Sequence, residues 1–576
     1  MATILTNHIG YNTAGSKKAV ILLPGPLPAG AEAAGADPGA EGAGAARLVG
    51  EGVDTPLAVG PRQAVDRWSV GTFRVIDFSE VRTEGVFRVV CGDAASEPFR
   101  IGERVLQQST LSDILYYFKS VRSSGAIDRK DRTARFYRDD SGRTVDARGG
   151  WLDASGDYSK FLSHLNYTRM MNPQQLPLCA WAFMEARDTL TRRTPQLLKA
   201  LGDRLRDEAL FGADFLVRFQ SPEGHFYTAI FDALTKDLQE RVINAPLQDS
   251  VRTQRWQAAY RQGGGFAIAA LARAATLDDH GDFTSADYLA AARRGFDHLE
   301  EHNKEYLYDG EESVIDDYCA LMAAVELVRA TPGGDPVPAA AADRRARQLM
   351  DRRTDSGRGF HYLVGDVEGR PYFHAAESGL PAVALLRYAE VCAGSPLAAE
   401  ARRTALALLR DAARLADEVA NPFGCARQFV QPTGAEPRTS FFFPHDNETG
   451  YWWQGQNADI CSVAYAAFLG SGQQECDDAL RERLCRLAED QLHWVTGLNP
   501  FDSSMIKGVG RNNVEYKPDY PNVPGGILNG ITGGFEDERD IAFMPEHHRA
   551  TGNGWRWTEQ WIPHSAWFLL AMSAAR

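Results

Sequence analysis

From residue 105 to the C-terminus, apolar residues return every three or four positions in one segment after another, and that period leaves few architectures open. Twelve segments show it: 105–121, 176–200, 202–220, 264–277, 284–302, 316–330, 338–352, 380–393, 396–418, 457–469, 476–495 and 563–575. Strand-type runs are nearly absent between them. The connections 122–175, 221–262, 303–315, 354–379, 420–456 and 497–562 are long, polar and aromatic, which marks binding or active-site loops in a compact helical body. Twelve helices with such loops predict a barrel of helix pairs, not a four-helix bundle. Residues 1–102 differ. AVILL, TFRVIDF and GVFRVVCG read as short strands of a small β-sandwich, and the Ala/Gly/Pro-rich stretch 24–50 reads as a flexible loop within it. The expected division is therefore a β-sandwich at 1–102 and a helical domain at 103–576.

Charge and composition remove several partners. The net charge of −14, from 62 basic and 76 acidic residues, opposes a broad grip on nucleic acid or on an anionic membrane. No run approaches the roughly 18 apolar residues of a membrane span. The opening MATILTNHIGYNTAGSKKAV has neither a basic head nor an apolar run, which predicts a cytoplasmic protein. The eight cysteines are dispersed without CxxC pairs and read as buried free thiols, not as zinc ligands.

The stretch GGWLDASGDYSKF sets Asp153 and Asp157 four residues apart. It resembles the start of a calcium loop, but the sixth and twelfth positions, where Gly and Glu are needed, hold Tyr158 and His164. Asp157 as the cap of a following helix is the plain alternative. Trp151 and Tyr158 lie beside the pair, and aromatic faces stack on sugar rings. Two close carboxylates hold a water and raise one another's pKa. Hydrolysis of a glycosidic bond needs a protonated acid across the bond. Glu559 in GNGWRWTEQWIPHSAW is the candidate, with Trp555, Trp557 and Trp561 around it to keep it protonated. The Gly263–Gly265 run has no strand before it and no Lys-Ser/Thr after it, so it reads as a helix-entry loop.

Taken together, these motifs resemble glycoside hydrolase family 9 over nearly the whole chain. NHIGYNTAGSKKAVI and FRVIDFSEVRTEGVFRVV are similar to the immunoglobulin-like module that precedes many of its catalytic domains. GGWLDASGDYSKF, WVTGLNPFDSSMIKGVG and GWRWTEQWIPHSAWFLLA resemble its aspartate motif, its C-terminal loop and its terminal acid segment. The resemblance implies a mainly α fold, an (α/α)6 barrel after a small all-β immunoglobulin-like sandwich, and an inverting mechanism. It implies Asp157 as general base, Asp153 as the partner holding the water, and Glu559 as general acid. Common cellulases of the family carry Asp-Ala-Gly-Asp; here Ser155 is inserted. The spaced form, with SKFLSHLNYTRMMNPQQLPL and HDNETGYWWQGQNA, resembles an exo-acting branch that includes exo-β-D-glucosaminidases. The leading expectation is release of glucosamine from the non-reducing end of chitosan oligosaccharides. The alternative is a β-1,4-glucanase acting on cellulose or cellodextrins, and a remote one is a non-catalytic carbohydrate-binding protein.

An exo-acting pocket that takes an ammonium-bearing sugar needs a facing carboxylate, and Asp309, Asp316, Asp446 and Glu448 are the candidates. Asp316 is equally a helix cap. Tyr451, Trp452 and Trp256 join the aromatic candidates for sugar contact, with Trp151, Tyr158, Trp555 and Trp557. No cofactor is expected; some relatives carry a structural calcium, but no loop here demands one. The expected partner is an oligosaccharide, with no nucleic acid and no membrane, and the protein is expected as a monomer or homodimer.

Overall fold

Six of the helices are buried on nearly every side, which requires neighbours all round them. They are Leu176–Arg193, Gly264–Ala274, Val314–Ala330, Leu380–Val391, Asn457–Ser471 and Ile562–Ala574. Nearly every residue of each is buried. Each packs on the next, and Ile562–Ala574 packs back on Leu176–Arg193, so the ring closes. Six further helices bury a single stripe and form an outer layer: Val105–Ser120, Pro195–Arg218, Ser285–Tyr306, Pro336–Asp351, Ala398–Asp417 and Asp478–Val495. In the computed structural model, which describes residues 2–26, 46–50, 52–548 and 551–576, the chain is thus an α/α barrel of six helix pairs. No helix among the described residues is long and apolar enough to cross a membrane.

Local chemistry sets the boundaries. The apolar period runs to residue 200, but the helix stops at Arg193 and Pro195 opens the next one, because proline lacks the N–H that a continuing helix needs. Ser313 and Asp316 form a reciprocal capping box at Val314–Ala330. Gly263 takes φ 93° at the entry of Gly264–Ala274, a conformation open to glycine. The helix expected after Asp157 is absent. Lys160–Phe161 is instead the edge of a four-stranded sheet with Ala229–Phe231, Val242–Pro246 and Arg252–Thr253. These strands are two to five residues long, too short to show a period in sequence.

Residues 3–102 form two sheets. One pairs Thr3–Leu5, Lys18–Leu23 and Thr72–Asp77. The other runs Tyr11–Asn12, Phe99–Gly102, Gly85–Cys91, Ala46–Gly50, Val53–Leu57. Ile21 and Ile76 of the first share a core with Leu48, Phe87, Val89 and Ile101 of the second, which makes the pair a sandwich. Most of the stretch read as a flexible loop lies outside the described residues; its end, Ala46–Gly50, is a strand whose Ala46 and Leu48 alternate into the core. The sandwich is fastened to the barrel. Lys18 pairs with Asp490 at 2.7 Å, and Trp68 sits among Phe423, Phe441 and Trp494. All eight cysteines are free thiols, six of them buried.

One buried charge cluster ties the inner helices together. Glu185 pairs with Arg273 at 3.1 Å and with Arg387, and Arg273 reaches Glu326 at 2.8 Å. Burial opposes ionisation of Glu185, yet Arg387 and Arg273 hold its carboxyl at about 2. Removing one partner of such a set strands a charge, so Arg387→Met is expected to destabilise the barrel by about 3–5 kcal/mol, read as a lower denaturant midpoint.

Candidate active site

The two loops that lead into the neighbouring inner helices Leu176–Arg193 and Ile562–Ala574 are stitched together. The Ile562 N–H donates to the Asp153 carbonyl at 3.1 Å, and the Ser155 N–H donates to the Gln560 carbonyl at 2.9 Å. The Gln560 N–H donates to the Ser155 hydroxyl at 2.8 Å, and that hydroxyl donates to Asn522 Oδ1 at 3.3 Å. Ser155 thus clasps the aspartate loop to the residue beside Glu559. The next residue, Gly156, has φ 66°, and a Cβ there would meet the Tyr520 backbone at 2.8 Å, so only glycine fits.

Asp153, Asp157 and Glu559 line one cavity of about 430 Å³, within the range of small-ligand sites. Asp153 is buried and accepts from Gln175 Nε2 at 2.5 Å and from the Trp561 indole at 3.2 and 3.1 Å to its two oxygens. Burial, then the charges of Asp157 and Glu559, push Asp153 well above the usual carboxylate range; the Gln175 and Trp561 donors oppose this. Burial raises Asp157 as well, against the Ser159 N–H that donates to it at 2.8 Å. Burial and the neighbouring Asp157 push Glu559 up to about 8, with Asn529 Nδ2 pulling the other way from 3.4 Å. At neutral pH the wall therefore offers a protonated Glu559 on one loop, with the Asp157 carboxyl on the other. That pairing is suited to general acid–base attack of water.

Of the aromatic candidates, Trp452 and Trp555 line the cavity, with ring planes 27° apart and centroids 6.5 Å apart. Trp151 and Trp557 do not. Both are fully buried, their indoles donating to Glu208 at 3.0 Å and Thr532 Oγ1 at 2.8 Å, because a buried indole N–H needs an acceptor. Trp256 packs on Phe136 at 5.0 Å, away from the cavity wall. Tyr158 is outside it too, its carbonyl taken by Arg241. Tyr451 is 60% exposed, edge-on to Trp453 on a surface hairpin with Asp446, which is also exposed.

The other carboxylates put forward for an amine are taken by arginines and backbone. Arg261 pairs with Asp309 and with Asp316, each at 3.2 Å, and Arg169 pairs with Asp309 at 2.7 Å. Glu448 accepts the N–H groups of Arg169 and Met170 at 3.1 and 2.5 Å. Sequence reading missed Asp249 and His164, which do line the cavity. Asp249 has no ion-pair partner among the described residues. Leu165, Leu234, Asp249 and Ser250, all in the wall, hold φ between 56° and 61°, a strained region for residues with a Cβ. Away from the cavity, Glu536, His547 and His548 bring ligand-type atoms within 4.8 Å of one another at the surface. Ser155→Ala removes the acceptor of the Gln560 N–H at the seam between the two carboxylate loops. Turnover is expected to fall about 10- to 100-fold with affinity for an unreactive sugar nearly unchanged, as steady-state kinetics and calorimetry will read.

Comparison with known proteins bears on the family and the fold. Residues 108–518 match the model of glycosyl hydrolase family 9. A metagenome-derived family 9 endoglucanase superposes with a TM-score of 0.67 at 20% identity, covering 100% of this chain and 99% of that one. A family 9 protein of Bacteroides ovatus gives 0.64 at 16%, covering 99% and 98%. A single-mutant thermostable endoglucanase from Alicyclobacillus acidocaldarius gives 0.61 at 18%, covering 99% of each. No curated protein sequence matches the chain. With the family model spanning most of the barrel and the same fold found end to end, the chain belongs to glycosyl hydrolase family 9.

Proposed function

We propose that this glycoside hydrolase is inverting and cleaves β-1,4-linked gluco-oligosaccharides, with Asp157 as general base, Asp153 as its partner on the water and Glu559 as general acid. The observation that carries this is Glu559, pushed up to about 8 in the same cavity as Asp157. Glu559 gives its proton to the leaving oxygen while Asp157 takes one from water on the opposite face of the ring, and the anomeric configuration inverts. Asp153, held by the Gln175 and Trp561 donors, fixes the second side of that water. Trp452 and Trp555 supply faces for sugar rings. The endoglucanases among its structural relatives support a glucan substrate.

A second reading has its own support. Asp249 lines the cavity, as Lys517 does, and has no ion-pair partner among the described residues, and the Ser155 insertion resembles the exo-acting branch; both favour an amino sugar, as in an exo-β-D-glucosaminidase. We also take the N-terminal sandwich for the family's immunoglobulin-like module.

Product analysis by NMR on cellohexaose and on chitosan hexamer separates these readings. Internal cuts in cellohexaose support the glucanase; glucosamine released from one end of the chitosan hexamer supports the second reading. A β-anomer appearing first from either rejects inversion. The pH profile checks the acid. Glu559 works only while protonated, so kcat/KM is expected to fall as pH rises through about 8, and to fall in acid as Asp157 gains a proton. Glu559→Gln is expected to cost about 10²–10⁴-fold in turnover, with binding retained.

A further inference from the structure

The cavity contains a nitrogen acceptor whose state is fixed by its neighbours. His164 lies in the wall, its ring edge-on to Trp561 at 5.6 Å and to Trp452 at 6.4 Å. Its Nδ1 lies 2.9 Å from Gln175 Oε1. The orientation of the Gln175 amide is not free. The His164 backbone N–H donates to the same Oε1 at 2.6 Å, and Nε2 of Gln175 donates to the Asp153 carboxylate at 2.5 Å. Reversing the amide would set an NH2 group against the His164 backbone N–H. Oε1 therefore faces His164, and it accepts only from a protonated Nδ1. In a neutral ring the hydrogen is then on Nδ1, and Nε2 carries a lone pair. Burial holds the ring neutral, pushing its pKa down to about 4. Nε2 has no partner among the described residues.

We propose that His164 Nε2 is a specificity contact: it accepts a hydrogen bond from one hydroxyl of the sugar ring bound beside Asp153. The inference rests on the hydrolase reading above and deepens it. Gln175 joins the two tasks, because one amide fixes both the acceptor that reads the ring and the carboxylate that holds the water. His164 is half-buried, so Nε2 loses its access to water only when a sugar covers it; an acceptor covered and left unpaired costs more than the bond is worth in water, so the site would reject a ring lacking that hydroxyl. The ring is also too well packed between tryptophans to serve as a loose surface base.

The test uses the full-length enzyme with cellotriose and versions of it that each lack one free hydroxyl of the ring whose C1 carries the bond that wild type cleaves, at C2, C3, C6 or, where that ring is terminal, C4. If chitosan trimer is the sugar cleaved, its monodeoxy forms at C3, C4 and C6 replace them. His164→Ala and the space-filling His164→Phe are compared with wild type. For the parent sugar, both variants are expected to lose about 10- to 100-fold in kcat/KM. For one deoxy sugar alone, wild type is expected to show that same loss and the variants no further one. Equal losses with every deoxy sugar, or variants as active as wild type, overturn the inference while leaving the hydrolase reading intact. Circular dichroism identifies a variant that has not folded; His164→Phe keeps the packing if His164→Ala does not. If wild type cleaves neither sugar, the hydrolase reading falls and the inference falls with it.

Discussion

The ring of inner helices has to close, and the seam of that closure is where the chemistry sits. Ile562–Ala574 is the last inner helix and Leu176–Arg193 the first, and they are neighbours. Each is entered from a loop at the same end. One loop carries Asp153 and Asp157; the other carries Glu559. Residues 402 positions apart (559 − 157) are thereby fixed by a few backbone bonds between Asp153, Ser155, Gln560 and Ile562. Loops normally move more than the elements they join. These two are short ladders anchored to packed helices, which is what acid–base chemistry requires of its supports.

The same closure shields the carboxylates in part from solvent, and desolvation shifts their protonation. A carboxylate buried without a cation is costly, and the cheapest relief is to keep its proton. Glu559 does so and reaches about 8, whereas Glu185, more fully buried but among arginines, is held at about 2. One side chain type spans the two extremes because its neighbours differ. Near Glu559 the donors are sparse: a single Asn529 Nδ2, itself oriented by His564 Nε2 at 2.8 Å from Asn529 Oδ1. Asp153 and Asp157 keep N–H donors instead. Those donors oppose the rise without cancelling it: burial and acidic neighbours still lift Asp153 well above the usual carboxylate range.

How much of this was legible in sequence depends on whether the signal was local. The twelve helices were, since a 3.6-residue period is local. So were Asp153, Asp157 and Glu559 as candidates, since their motifs are short. Sugar contacts were not. Trp151 and Trp452 both stand in aromatic loops, yet one is wedged in the core and the other lines the cavity. Asp316 reads equally as an amine ligand and as a helix cap; the cap is what forms, and Arg261, 55 residues away, pairs with it as well. Two-residue strands such as Lys160–Phe161 have no period at all. His164 was visible only as a failed calcium position; Gln175, eleven residues on, gives it a role.

Ser155, the added residue of the aspartate motif, has a place in the packing of its loop. The turn it occupies is closed by the Asp157 N–H on the Ala154 carbonyl at 3.1 Å, and Gly156 takes the left-handed conformation that lets the turn pass under Tyr520. With one residue more between the aspartates, the loop has a hydroxyl to spare for Gln560 and a backbone N–H to spare for its carbonyl. The extra length is therefore not slack. It is taken up in a contact with the segment that carries the acid, so the spacing of the two aspartates and the placement of Glu559 are set by the same bond. A shorter loop would need another tether to hold that relation, and its cavity wall near Tyr520 would have a different shape.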